Sequence, residues 1–170
     1  METSFNIHFG KLTESRVDDN SHITIFRKIS DEEERVFFKN YNLPQDVFYF
    51  NDIKPVAPRY ENIQNKFLGE TIILVLSNIV PSKTPSNVED RLESHVFILG
   101  EQQLFWFIKD EDSQFDKELI KIHSQDVSSI QSIIMHAALL SYSHFTEELA
   151  YQKEQIDYLN KQADNRTSNE

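Results

Sequence analysis

The chain has 170 residues, of which 39% are hydrophobic, including 13 phenylalanines, which is enough for one domain with a sizeable core. Its formal net charge of −11 opposes binding to nucleic acid, because the phosphate backbone would be repelled. With no cysteine and three glycines, the sequence excludes disulfides, cysteine nucleophiles, cysteine-based metal sites and glycine-rich phosphate loops.

Two strands and an acidic helix are predicted first. Phe5–Phe9 and the start of His22–Phe26 alternate apolar and polar residues, which predicts half-buried strands. Ser30 is the predicted N-cap of a helix, because Glu33 follows three residues later. The acids of Asp31–Glu34 suit the positive end of the helix dipole, so we interpret them as a first turn and not as a metal site.

The helix that starts at Asp31 is expected to bury Val36, Phe37 and Tyr41. A proline-marked joint then follows. Pro44 is predicted to open a second short helix, where its missing N–H is harmless. Pro55 and Pro58 forbid regular structure and push the residues before them toward extended geometry.

The second half of the chain predicts a central strand, a hairpin and a short helix. Thr71–Leu76 is apolar on both faces, as in a strand covered from both sides. His95–Leu99 and Gln103–Ile108 flank a short turn containing Gly100, which predicts a β-hairpin. Phe115–His123 has the spacing of a short amphipathic helix.

A long helix is predicted from Asp126 onward, since glycine and proline are absent from there to Glu170. Its later part carries a 3-4-3-4 apolar seam in a polar background, which favours a helix that projects from the domain to meet a neighbour. The seam positions are Leu149, Gln152, Ile156, Leu159 and Ala163.

Together these elements predict an α/β fold. We expect a mixed sheet of about five to seven strands with helices on both sides, ending in a long stalk helix. The predicted division is an α/β domain over 1–125 and the start of the stalk helix over 126–170. The longest strongly apolar run, Ile72 to Leu76, is far shorter than the roughly 18 residues of a membrane span, so the chain as given is expected to be soluble.

Chemical motifs are weak. The acidic run Asp110–Asp116 does not fit a calcium loop, because the sixth position holds Phe115 and the twelfth Lys121. His136 and His144 share a helix face but stand eight residues apart, too far to hold one metal ion. No nucleophile elbow, phosphate loop or metal cluster is recognisable, so we expect no enzymatic activity.

Seven segments of the chain follow one another in a characteristic order and spacing: Tyr41–Leu43, Ala57–Glu61, Ile72–Leu76, Leu92–Leu99, Leu104–Ile108, Ile130–Leu149 and Gln155–Leu159. In this order they resemble the N-terminal cytoplasmic domain of the CorA-type magnesium transporters. The resemblance covers nearly the whole chain and is weakest before residue 30. The family's Gly-Met-Asn signature and its two membrane helices are not in this sequence.

The resemblance implies a regulatory role in transport. It implies a homo-pentameric transporter whose α/β domains form a funnel at the cytoplasmic face of the cell membrane. Acidic residues at subunit interfaces would bind intracellular Mg²⁺, the regulatory and transported cation, and hold the pore closed. The chain alone is expected to be a monomer or weak oligomer, because most contacts of the pentamer would lie in the missing stalk and membrane regions.

The sensing residues do not carry over directly. The acid that the family places in the second helix falls at Phe50, and its stalk acids fall at Leu139 and near Ser143–Phe145. Asp46 and Asp52 are the nearest acids to the first position, so we hypothesise that one of them binds the regulatory cation.

Three alternatives remain open at this point. One is a zinc- or cobalt-transporting relative, which His136 and His144 would slightly favour. Another is a free-standing module that oligomerises through the long helix and has no membrane part. The third is an enzyme of unrecognised type, against which the lack of catalytic motifs argues.

Overall fold

The computed structural model of the protein describes residues 2–15, 21–44, 58–81, 87–108, 110 and 112–167. Within them, seven strands form one sheet, accompanied by three α-helices and a 3₁₀ turn at Glu89–Arg91. The strands are β1 (Glu2–His8), β2 (Lys11–Ser15), β3 (Ile23–Arg27), β4 (Arg59–Asn65), β5 (Gly69–Ile79), β6 (Leu92–Leu99) and β7 (Leu104–Ile108). The helices are α1 (Asp31–Asn40), α2 (Phe115–His123) and α3 (Ile130–Thr167).

The sheet joins two antiparallel groups of strands. Its order is β2-β1-β3-β7-β6-β5-β4, and every neighbouring pair is antiparallel except β3 and β7. In that parallel pair Ile23 lies opposite Leu104 and Arg27 opposite Ile108. The sheet is therefore mixed.

Helices cover both faces of the sheet, and a hydrophobic core fills each side. On one face α1 packs Phe38 against Val75 and Phe107. On the other face α2 and α3 enclose Trp106 and Phe97. The predicted α/β fold, with five to seven strands and helices on both sides, is confirmed.

A tight turn at Phe9 and Gly10 joins β1 to β2. His8 pairs with Lys11, so the loop has two residues, and both take positive φ, 49° and 76°. This is the backbone of a type I′ hairpin turn, which matches the twist of the flanking strands. Phe9, expected to end a strand, is instead a fully exposed turn residue.

Helix α1 starts as predicted but faces the sheet through a different residue. Ser30 Oγ accepts a hydrogen bond from the Glu33 N–H at 3.3 Å, and Glu33 Oε2 accepts one from the Ser30 N–H at 2.8 Å. The Glu33 carboxylate also accepts a bond from the Ser30 hydroxyl at 2.9 Å. The bonds that this carboxylate accepts, from the Ser30 backbone first and the Ser30 hydroxyl second, lower the pKa of Glu33. Val36 is exposed and Phe37 only partly buried, whereas Phe38 is buried. The expected burial of Val36 was wrong, because the helix is turned so that Phe38 meets the sheet.

Two strands were not predicted, and one helix boundary shifts. β2 and β4 lie at the two edges of the sheet and are rich in polar residues, so their sequences do not alternate clearly. Helix α2 has the predicted bounds, and α3 begins at Ile130 and not at Asp126. The second short helix expected at Pro44 falls largely on 45–57, outside the described residues. No helix in the described ranges is long and apolar enough to cross a membrane.

Candidate functional site

Helix α3 exposes an apolar stripe on the side that faces away from the sheet. Its members are between 57% and 72% exposed, although all are large and apolar. Four of them recur every seven residues, the spacing that coiled coils bury against another helix. The exposed stripe consists of Met135, Leu139, Tyr142, Leu149 and Ile156.

The opposite side of α3 is held to the sheet by polar contacts. Ser141 Oγ donates to the carbonyl oxygen of Ser77 at 2.7 Å. Arg91, just before β6, donates two hydrogen bonds of 2.7 Å to the two carboxylate oxygens of Glu148. Gln152 donates a third to Glu148, also at 2.7 Å. The contacts with Arg91 and Gln152 lower the pKa of Glu148 to about 2.

A buried relay of polar side chains runs from the sheet to α3 and α2. Asn78 Nδ2 lies 2.6 Å from Glu93 Oε1 and must donate to it, because a carboxylate oxygen accepts. Asn78 Oδ1 therefore accepts the bond from His144 Nδ1, at 3.0 Å. The other ring nitrogen of His144, Nε2, lies 3.4 Å from Glu118 Oε2 on α2.

His95 is a core histidine whose tautomer is fixed by its neighbours. Trp106 Nε1 can only donate, and it points at His95 Nδ1 at 3.3 Å. The proton of the neutral ring therefore resides on Nε2, which lies 3.3 Å from Glu93 Oε1. Burial raises the pKa of Glu93, but hydrogen bonds from His95 and Asn78 outweigh this effect and the pKa is lowered. The Nδ1 lone pair of the neutral His95 ring accepts the bond from Trp106, and Nε2 carries the proton. Neutral His95 therefore has no lone pair free to bind a metal.

A further ion pair fastens α2 to the sheet. Arg27 on β3 bonds both carboxylate oxygens of Asp116, and its Nη1 donates to the Ser113 carbonyl at 3.0 Å. Burial lowers the pKa of Arg27, although the negative charge of Glu93 opposes this effect. The polar side chains between the sheet and the helices α2 and α3 are therefore part of the packed interior of the domain.

The structure does not describe the residues predicted to bind the regulatory cation. Asp46, Asp52 and Phe50 lie outside the described residues, so the hypothesis about the two acids stays a prediction. Over the described ranges, no group of three or more His, Asp or Glu side chains is arranged to hold a metal ion.

The two helix histidines have separate partners. His136 Nε2 donates to the Asp126 carbonyl at 3.0 Å, and its ring stacks on His123 with centroids 3.8 Å apart. His144 instead contacts Asn78 and Glu118. They do not form one site, as their spacing predicted.

Motif reasoning did not foresee the pairs Arg91–Glu148 and His144–Glu118. One signal was present in the sequence. The inward positions of α3 follow a 4-3-4 spacing, and polar residues interrupt its apolar run. The inward positions are Ala137, Ser141, His144 and Glu148.

Comparison with known proteins finds likeness in structure and not in sequence. No protein-family model matches the chain, and no curated protein matches it. The crystal structure of the ZntB cytoplasmic domain from Vibrio parahaemolyticus RIMD 2210633 is similar with a TM-score of 0.68 and 11% identity. That likeness covers 92% of this chain and 63% of that one.

Two longer structures are also similar. Full-length CmaX gives a TM-score of 0.71 and 9% identity over 94% of this chain and 50% of that one. The complete CorA magnesium transporter from Methanocaldococcus jannaschii gives a TM-score of 0.62 and 12% identity. That likeness covers 95% of this chain and 50% of the CorA chain. The chain thus spans 50% to 63% of these solved chains. Over nearly its whole length it has the α/β fold shared by the ZntB cytoplasmic domain, CmaX and the CorA magnesium transporter, as the sequence resemblance predicted.

Proposed function

We propose that this chain is the cytoplasmic regulatory domain of a divalent-cation transporter and has no catalytic activity of its own. The supporting observation is the combination of fold and stalk helix. The likeness to CorA covers 95% of the chain, and α3 carries an apolar stripe away from its own domain. Such a stripe is stabilised only when another surface covers it, so we assign it to contact between copies in a homo-oligomer, a pentamer in the full-length protein.

The regulatory cation is proposed to be Mg²⁺, bound by Asp46 or Asp52 at an interface between copies. Loss of the ion would leave like-charged surfaces unbridged and shift the population toward separated domains. Leu139, where the family's stalk acid was expected, is an exposed apolar residue of the stripe. The contact through α3 is therefore proposed to hold with or without the ion.

Transport by the full-length protein in liposomes tests this proposal. We expect uptake of a divalent cation that internal Mg²⁺ inhibits, and weaker inhibition in the double variant Asp46→Ala and Asp52→Ala. The matched control is Asp90→Ala, an exposed acid outside that segment, which should keep wild-type inhibition. Full-length protein that moves none of Mg²⁺, Zn²⁺ or Co²⁺ would contradict the proposal. So would a natural stop codon after Glu170, because the family's membrane helices would then be missing.

A second candidate is a free-standing module that oligomerises through the same stripe and has no membrane part. The observation that favours it is again the stripe, which needs no membrane segment to be covered. The sequence of the complete gene distinguishes the two candidates. The transporter requires two further apolar runs of about 20 residues each.

A further inference from the structure

His144 and Glu118 form an unusual pair across two helices. The His144 ring lies on the buried side of α3, with its side chain only 6% exposed, whereas the Glu118 side chain on α2 is 45% exposed. His144 Nε2 and Glu118 Oε2 are 3.4 Å apart. The pair therefore stands at the rim of the interior, where solvent reaches one of its two members.

The relay behind His144 decides what its outward nitrogen can do. The Asn78 amide nitrogen donates to Glu93, so the amide oxygen is the atom that faces His144. Because an amide oxygen only accepts, the Nδ1 of His144 must carry a proton. In the neutral ring, Nε2 then has a free lone pair directed toward a carboxylate oxygen. Two electron-pair donors at this distance need either a proton or a metal ion between them.

The geometry and the outer contacts fit a metal ion. A tetrahedral Zn²⁺ with ligand bonds of about 2.0–2.1 Å separates neighbouring ligand atoms by about 3.4 Å. Metal-bound histidines commonly donate their other N–H to a carbonyl or carboxylate oxygen, as His144 does to Asn78. Imidazole with a carboxylate suits Zn²⁺, whereas Mg²⁺ prefers oxygen ligands alone.

We propose that His144 Nε2 and Glu118 Oε2 are two ligands of a binding site for a transition-metal dication of the Zn²⁺ class, which joins α2 to α3. In the described part of the chain no third His, Asp or Glu completes a set of ligands. Water would fill the remaining positions on the exposed side of Glu118. Binding would tie the root of the stalk helix to the domain. This proposal needs only the 170-residue chain and does not depend on transport.

Calorimetric titration of the metal-free chain with ZnCl₂ tests the site, with MgCl₂ titrated in parallel. We expect saturable binding of one Zn²⁺, a Zn²⁺-dependent rise in the unfolding temperature, and no competition by an equal concentration of Mg²⁺. Glu118→Gln and His144→Gln should each weaken Zn²⁺ binding at least about tenfold. The matched control is His8→Gln, which removes an exposed histidine on β1 and should leave binding unchanged.

Two outcomes would overturn the site. One is Zn²⁺ binding that survives Glu118→Gln with unchanged affinity. That variant replaces a half-exposed side chain, so circular dichroism should confirm that it folds even if His144→Gln does not. The other is a ¹⁵N spectrum showing His144 as an imidazolium at pH 7.5 that does not change with Zn²⁺, since a proton would then occupy the space between the two side chains. Neither result bears on cation transport.

Discussion

Arg91 binds both carboxylate oxygens of Glu148, each at 2.7 Å, and so ties the start of β6 to the middle of α3 across 57 sequence positions. Both side chains are nearly buried, at 10% and 6% exposure. The pair lies on the side of α3 opposite the exposed stripe. It therefore sets which face of the helix is offered to a neighbour.

Removing one member of this pair should destabilise the domain. Arg91→Ala leaves a nearly buried carboxylate with only Gln152 as its donor, and we expect a loss of about 3 kcal/mol in the free energy of unfolding, the lower end for buried pairs. Urea unfolding measures this change. Arg35→Ala, at an exposed position on α1, is the control and should stay within about 0.5 kcal/mol of wild type. An equally small effect of Arg91→Ala would mean that the pair contributes little.

Acid should remove the same contribution. The pKa of Glu148 is about 2 in the folded chain, below the value of about 4.3 for an unpaired glutamate. The unfolded chain thus takes up the proton first as pH falls, so stability from this group is complete above about pH 4.5 and is lost toward pH 2. The difference in unfolding free energy between wild type and Glu148→Gln, measured at pH 6, 4 and 3, should shrink in that order. A constant difference would contradict the assigned pairing.

The exposed stripe should drive self-association at high protein concentration. Leu149→Glu places a charge in the stripe, and we expect it to abolish any concentration-dependent increase in mass in sedimentation velocity. Ala150→Glu introduces the same charge at the next exposed position, away from the stripe, and should leave association intact. Equal effects of the two variants would indicate a charge effect and not a contact through the stripe.

The β1–β2 turn offers a substitution that should stabilise the protein. Phe9 is fully exposed and has a φ of 49°, a conformation that asparagine tolerates better than phenylalanine. We expect Phe9→Asn to raise the free energy of unfolding by about 0.5–1 kcal/mol. Phe67→Asn, at another exposed turn phenylalanine whose φ is not positive, should lack this gain. A loss of stability in Phe9→Asn would mean that the Phe9 ring makes a contact worth more than the strain.

Local signals predicted local structure well. The capping box at Ser30 and Glu33 fixed the start of α1, and the apolar spacing of Phe115–His123 gave the bounds of α2. Edge strands β2 and β4 were missed, because a strand with one neighbour and many polar residues lacks the alternation that marks a half-buried strand. The sequence therefore predicted an element correctly where its apolar pattern matched the burial of its side chains in the fold.

The candidate site depended on contacts that spacing cannot encode. His144 was considered together with His136, because both lie on one helix, but its partners Asn78 and Glu118 come from other elements. Arg27 and Asp116 are likewise 89 positions apart. Such pairs depend on how α2 and α3 pack against the sheet. The periodicity of a single sequence does not predict that packing.

The parallel pairing of β3 with β7 has a consequence for how the domain folds. Each antiparallel group can begin from a hairpin of neighbouring strands, but Ile23 meets Leu104 only after about eighty residues of chain have been closed into a loop. We therefore expect β1, β2 and β3 to join the rest of the sheet late in folding. In hydrogen exchange, amides of this three-strand edge should lose protection before those of β5 to β7, and the domain would open along the line between β3 and β7.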